Sequence, residues 1–284
     1  MGDNVINLEL EYFKRKNDEA YNMLIKKEFK KVIEHLKEPL EKIEVKLTGQ
    51  KVYCPQNIFE ATIFLNLLEP KATEEDFGNI NYYDFYLINA SANYNLGQYE
   101  EARKYYEKAI EINPSSAVAR LQKMEIDKTE KKFDNFVEDI KEFFKYAYRR
   151  TEMARAYRNV GYYLYEKKDY EMAIVAYFLS NAYEVTETAI NEAGTIAETA
   201  EIDLDSKQWL SEELLGELYE KYKIPLLPNP DLVMLANVVS DDAYNKEALI
   251  SARFLYQVAY ELTLEEEKLQ KIEELNEKIT KMKR

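Results

Sequence analysis

Side chains able to do chemistry are scarce in this chain. Its 284 residues include one histidine, His35, and one cysteine, Cys54. A single histidine rules out HExxH metalloprotease chemistry and multi-histidine metal sites, and any Ser-His-Asp or Cys-His mechanism would have to run through it. His35 stands beside Glu34 and Glu38 in a charged segment, where a lone imidazole is ordinarily just solvated. Cys54 lies between Tyr53 and Pro55 with no adjacent cation to lower its pKa, so it reads as a packed small hydrophobe rather than a nucleophile. Without a second cysteine there is no internal disulfide and no multi-thiolate zinc site. Carboxylates are plentiful, at 53, and pairs fall at every spacing without any pair being selected. An all-helical hydrolase using two carboxylates is the remote alternative these residues leave. The closest glycines, Gly78 and Gly97, are 19 apart, whereas phosphate loops and dinucleotide fingerprints need two within a few residues. No catalytic, cofactor or metal site is expected, and the chain reads as a non-enzyme.

One cluster invites a binding role. Four of the nine arginines, Arg149, Arg150, Arg155 and Arg158, fall within ten residues of a chain whose net charge is −14. Guanidinium forks suit carboxylates. The cluster therefore either receives an acidic or carboxylate-ended peptide, or pairs with neighbours such as Glu152 and Glu166 to balance an acidic surface. The net charge opposes general binding to nucleic acid or anionic membrane. The longest uncharged stretches, 85–99 and 172–183, fall short of the roughly 20 apolar residues of a spanning helix. The first 20 residues hold no apolar signal core, which makes a cytoplasmic protein the expectation.

The elements that must position these residues are helices. Seven glycines and seven prolines make about 5% of the chain against roughly 12% in an average one, too few for the positive-φ turns of sheet folds. The helices repeat. Residues 97–114 read GQYEEARKYYEKAIEINP, with Tyr99, Ala102, Tyr106 and Ala109 stepping by 3, 4 and 3 along one helical face. The step recurs at Phe133, Phe136, Ile140 and Phe143, then at Tyr170, Ala173, Tyr177 and Ser180, and again at Leu249, Ala252, Tyr256 and Ala259. Before the third set stand Tyr157, Val160, Gly161 and Leu164. Phe29, Val32 and Leu36 repeat the step near the N-terminus, with Pro39 where the small residue belongs. Pro55 is expected to open a helix reaching Leu68.

With Gly97, Ala102, Ala109 and Pro114 in place, the pattern resembles the tetratricopeptide repeat (TPR), in divergent form and most clearly over residues 82–183. The resemblance implies an all-α TPR-like α-α superhelix, a solenoid of antiparallel helix pairs, closed by a polar C-terminal capping helix. The expected segments are a degenerate helical hairpin at 1–46, a connector with one helix at 47–80 and TPR-like repeats at 81–186. Atypical helices with a Pro-rich hinge follow at 187–230, then a hairpin and capping helix at 231–284. The capping helix carries Leu264, Leu269, Ile272, Leu275 and Ile279 as its apolar stripe, and a dimer seam there is the rival reading, so monomer and homodimer both stay open. The resemblance also implies a protein- or peptide-binding scaffold whose concave face is lined by the first helix of each pair. Aligned to the repeat, that face holds Asp84, Leu87, Ile88, Ser91, Tyr94 and Asn95, then Val118, Leu121, Gln122, Glu125 and Lys128, then Arg155, Arg158, Asn159, Tyr162, Tyr165 and Glu166. Arg155 and Asn159 match positions that some TPR adaptors use to clamp a C-terminal carboxylate, while Leu87, Ser91 and Gln122 depart from that clamp. The alternative is a peptide-responsive regulator without a DNA-binding domain.

Overall fold

The computed structural model describes residues 2–282, with side chains described from residue 8 onward. Met1, Lys283 and Arg284, at the ends of the first and last expected segments, lie outside the described residues. The fold is all-α, with helices packed in pairs as in a TPR-like solenoid and no strand among the described residues. No described helix is long and apolar enough to cross a membrane. Two compact units divide the chain, residues 1–126 and 127–284.

The first unit opens with the hairpin α1 (Gly2–Ile25) and α2 (Phe29–Leu47), and α2 runs unbroken through the buried Pro39. Helix α3 (Ile58–Ile63) widens into a π-helical turn, Phe64–Leu68. It begins at Ile58 and not at Pro55 because the Asn57 side chain accepts the N–H groups of Phe59 and Glu60, both at 3.0 Å, and so caps the first turn. Helices α4 (Tyr82–Asn95) and α5 (Tyr99–Ile112) form the next hairpin, and α6 (Ala117–Glu130) runs across the unit boundary. A buried polar network ties the connector to this hairpin. Glu60 is 4% exposed, and its Oε2 accepts from Asn113 Nδ2 at 2.6 Å and from the Gln56 N–H at 2.8 Å. Ser115 Oγ in turn donates to Asn113 Oδ1 at 2.8 Å. A buried carboxylate requires such donors.

The second unit holds α7 (Phe136–Phe144), α8 (Arg150–Glu166), α9 (Tyr170–Tyr183), α10 (Glu187–Ala200) and α11 (Glu212–Tyr222). After the prolines at 225 and 228 come α12 (Pro230–Asn245), α13 (Leu249–Thr263) and α14 (Glu266–Met282). Pro230 sits in the first turn of α12, where its missing N–H costs nothing. Helix α7 starts at Phe136, leaving Phe133 in the preceding turn with its ring edge-on to Phe136 at 5.5 Å. Trp209 is 4% exposed, stacks on Phe178 at 6.0 Å and donates to the Leu204 carbonyl at 2.7 Å. Helix α14 packs on α13 with Ile272 and Leu275 buried and Leu269 exposed, while Leu264, expected in the same stripe, lies before the helix as the exposed left-handed cap of α13.

The small residues of the repeat pattern sit where helices approach most closely. Ala90, Ala102 and Ala109 are wholly buried, and a Cβ on Gly161 would lie 2.6 Å from the Tyr177 ring. Among the described residues, five turns that lead directly from one α-helix to the next share one geometry. A residue in the left-handed region ends the first helix, and the next N–H bonds back to a carbonyl five residues earlier, closing a Schellman motif. The left-handed residues are Lys27, Gly97, Lys131, Lys168 and Glu247, with φ between 53° and 73°. The closing bonds run from Glu28 to Met23, Gln98 to Asn93, Lys132 to Asp127, Asp169 to Leu164 and Ala248 to Ala243, at 2.9–3.0 Å. Only one of the five, at Gly97, uses glycine.

Candidate functional site

Of the residues assigned to the binding face, Leu87, Ser91 and Tyr94 lie on α4 and Leu121 and Gln122 on α6, in the first unit. Leu87 and Tyr94 are half-buried and pack against the cluster of Ala90, Ala102 and Tyr106, with the Tyr94 ring tilted on Tyr99 at 5.6 Å. Ser91 Oγ donates to the Leu87 carbonyl at 2.9 Å and lies 3.3 Å from the Tyr106 hydroxyl. Leu121 is 3% exposed and belongs to the core, whereas Gln122 is half-buried.

Arg155, Arg158, Asn159, Tyr162 and Tyr165 lie along one stretch of α8 in the second unit. Asn159 is 1% exposed, and its Oδ1 accepts from Lys128 Nζ at 3.3 Å. The same ammonium stands over the Tyr162 ring, 5.2 Å from its centroid. Among the described residues no carboxylate lies within ion-pair distance of Lys128, so its charge is met by an amide oxygen and an aromatic face alone. One turn further on, Lys131 Nζ pairs with Glu166 at 2.8 Å. The hydrogen bonds from Lys131 and Tyr162 hold the Glu166 carboxyl below the usual carboxylate range, and Lys131 is raised in return. Burial, then the bond to Glu166, pushes the Tyr162 hydroxyl up. Tyr165 tilts against Tyr170 at 5.8 Å.

The arginine cluster is divided among several tasks. Arg150 donates to the carbonyls of Tyr183 at 3.2 Å and Ala182 at 2.5 Å and stacks over the Tyr183 ring, placing a cation on the C-terminal end of α9. Arg149 stands over Tyr148 and 3.9 Å from Glu152. Arg158 donates to Ser180 Oγ at 3.3 Å and meets Glu184 at 3.7 Å. Glu152 thus pairs as one of the two sequence readings supposed, while Glu166 is taken by Lys131. Lys131 was missed by the sequence reading. Its signal is faint: it precedes Glu166 by 35 residues, close to one repeat period, but in the turn and not on a helix face.

Chemically, the α8 face offers ammonium and guanidinium donors, tyrosine rings and one buried amide, a set suited to holding an anion beside apolar groups. Among the described residues no group of three or more His, Cys, Asp or Glu is placed to hold a metal. In the first unit a cleft is lined by Glu44, Tyr86, Lys108 and Glu111. There the Glu44 carboxylate already accepts from Lys108 and from the Tyr86 hydroxyl.

No curated protein matches the chain. The family model for the tetratricopeptide repeat matches residues 85–116, a stretch that covers most of α4, the turn at Gly97, α5 and the approach to α6. The chain thus carries a divergent tetratricopeptide repeat, clearest over that one segment.

Proposed function

We propose that the protein is a non-enzymatic scaffold that holds a peptide ending in, or rich in, carboxylates against the face of α8. A tetratricopeptide repeat in an all-helical chain suggests a protein-interaction scaffold, and such repeats are in general non-enzymatic interaction modules. The observation that carries the finer reading is Lys128, a half-buried ammonium held by Asn159 and the Tyr162 ring with no carboxylate partner among the described residues. An incoming carboxylate completes the set, with Arg155 one turn before Asn159 on the same helix and the Tyr162 and Tyr165 rings as apolar contacts. Leu121, being buried, takes no part. Fluorescence polarisation tests this with a panel of acidic peptides in free-carboxylate and C-terminally amidated forms. Lys128→Ala is expected to weaken the best free-acid peptide by about tenfold or more, and added salt should weaken it further. Equal binding by amidated peptides, or by the Lys128→Ala protein, overturns the assignment.

A further inference from the structure

The shared left-handed turn sets the hairpins of the chain in one register. Counting back from the first residue of the second helix, Tyr94, Tyr165 and Tyr244 each stand five residues before Tyr99, Tyr170 and Leu249. In the same register Met234 corresponds to Arg155 and Asp84, and Val238 to Asn159 and Ile88. Helix α12 therefore takes the place in its hairpin that α8 takes in its own, with opposite chemistry, and Val238 stands exposed where Asn159 and Ile88 are buried. Its sixteen residues include Asp231, Asp241 and Asp242 and neither lysine nor arginine. On its outer side Met234 is 62% and Val238 61% exposed, one turn apart, with Asp231 and Asp241 on the flanking turns of the same face. Asp242 pairs with Lys246, and Asp241 accepts from the Tyr256 hydroxyl at 2.6 Å. Among the described residues no cation lies within ion-pair distance of Asp231 or Asp241. Two large apolar side chains left in water between carboxylates that no described cation meets mark an interaction surface and state the charge of its partner.

From this arrangement we infer that the outer face of α12 binds a cationic amphipathic peptide segment. Its apolar side chains seat on Met234 and Val238, and its lysines or arginines meet Asp231 and Asp241. This surface is independent of the carboxylate site on α8 and calls for a ligand of the opposite sign.

The test uses the full chain and a fluorescein-labelled peptide of leucine and lysine only, patterned for one apolar helical face, beside a counterpart with glutamate at every lysine position. The wild type should bind the lysine peptide and not the glutamate peptide. The double variant Met234→Lys, Val238→Lys should lose about tenfold or more in affinity. A control variant, Val185→Lys with Ile190→Lys, adds the same charge at two other exposed apolar positions and should leave binding unchanged, with circular dichroism melts showing both variants folded. Equal loss in both variants means general attraction to an acidic chain and overturns the inference, as does failure to bind the lysine peptide or equal binding of the glutamate peptide. If the wild type dimerises without peptide in sedimentation velocity, and the Met234→Lys, Val238→Lys protein does not, the face belongs to a second copy and the inference falls.

Discussion

Lys27, Lys131, Lys168 and Glu247 stand in the left-handed position that Gly97 fills at the turn between α4 and α5. For a side-chain-bearing residue that conformation costs about 1–2 kcal/mol, which glycine escapes. Lysine recovers part of the cost, because its cation sits at the negative end of a helix dipole, a gain of about 0.3–1 kcal/mol. Replacing the exposed Lys168 by glycine is expected to stabilise the protein by about 0.5–1 kcal/mol, seen as a higher urea midpoint at unchanged slope. An unaltered or lower midpoint would mean that the lost dipole contact and the greater freedom of the unfolded chain offset the relief. The same positions show what a sequence conceals at this scale. Gly97 and Gly161 announce their roles, one by turn geometry and the other by the Tyr177 ring that a Cβ would strike. A lysine in a left-handed turn looks like any other surface lysine. Lys131 escaped notice for that reason, and the tie between Lys128 and Asn159 spans 31 residues that only the packing of α8 brings together.

At the scale of elements, the hairpins are legible because their periodicity reports a buried face, and burial is what the helices share. Tyr99, Ala102, Tyr106 and Ala109 mark the seam of α5, and Gly161 marks that of α8. Element ends depend on local contacts that periodicity does not register: the Asn57 cap starts α3 at Ile58, and α7 begins only at Phe136. The arginine cluster shows the same limit, since the C-terminal carbonyls of α9 claim Arg150 only once that helix end is in place. Helix α14 carries a testable electrostatic clasp. Glu274 accepts from the Tyr244 hydroxyl at 2.6 Å and pairs with Lys278 at 2.7 Å, and chiefly the Lys278 bond lowers its carboxyl from 4.5 to about 2. Because the folded pKa is the lower one, this contribution is complete above pH 4.5 and disappears as pH falls towards 2. Denaturant melts across that window should show the wild type losing stability that a Glu274→Gln protein, already lacking the clasp, does not lose. Parallel pH curves for the two proteins would remove Glu274 from the account.

For the molecule as a whole, the division at residues 126 and 127 matters more than the number of helices. Stacked helix pairs draw stability from their immediate neighbours, so damage to one pair should stay near it. Gly161→Ala forces a methyl group towards the Tyr177 ring in the core of α8 and α9 and is expected to cost about 1–3 kcal/mol. Hydrogen exchange in that variant should accelerate across residues 150–183 and their neighbours in the second unit, while α1 and α2 keep their wild-type protection. Uniform acceleration from end to end would instead describe one cooperative body. Trp209 makes the distinction readable in a simpler experiment. It is the only tryptophan in the chain, it belongs to the second unit, and its indole is sealed against Phe178. Its emission therefore follows the unfolding of residues 127–284 alone, whereas far-ultraviolet circular dichroism follows every helix. A chain with one indole and 24 tyrosines thus has a built-in optical label on one of its halves, and any gap between the two melting curves measures how far the halves come apart independently.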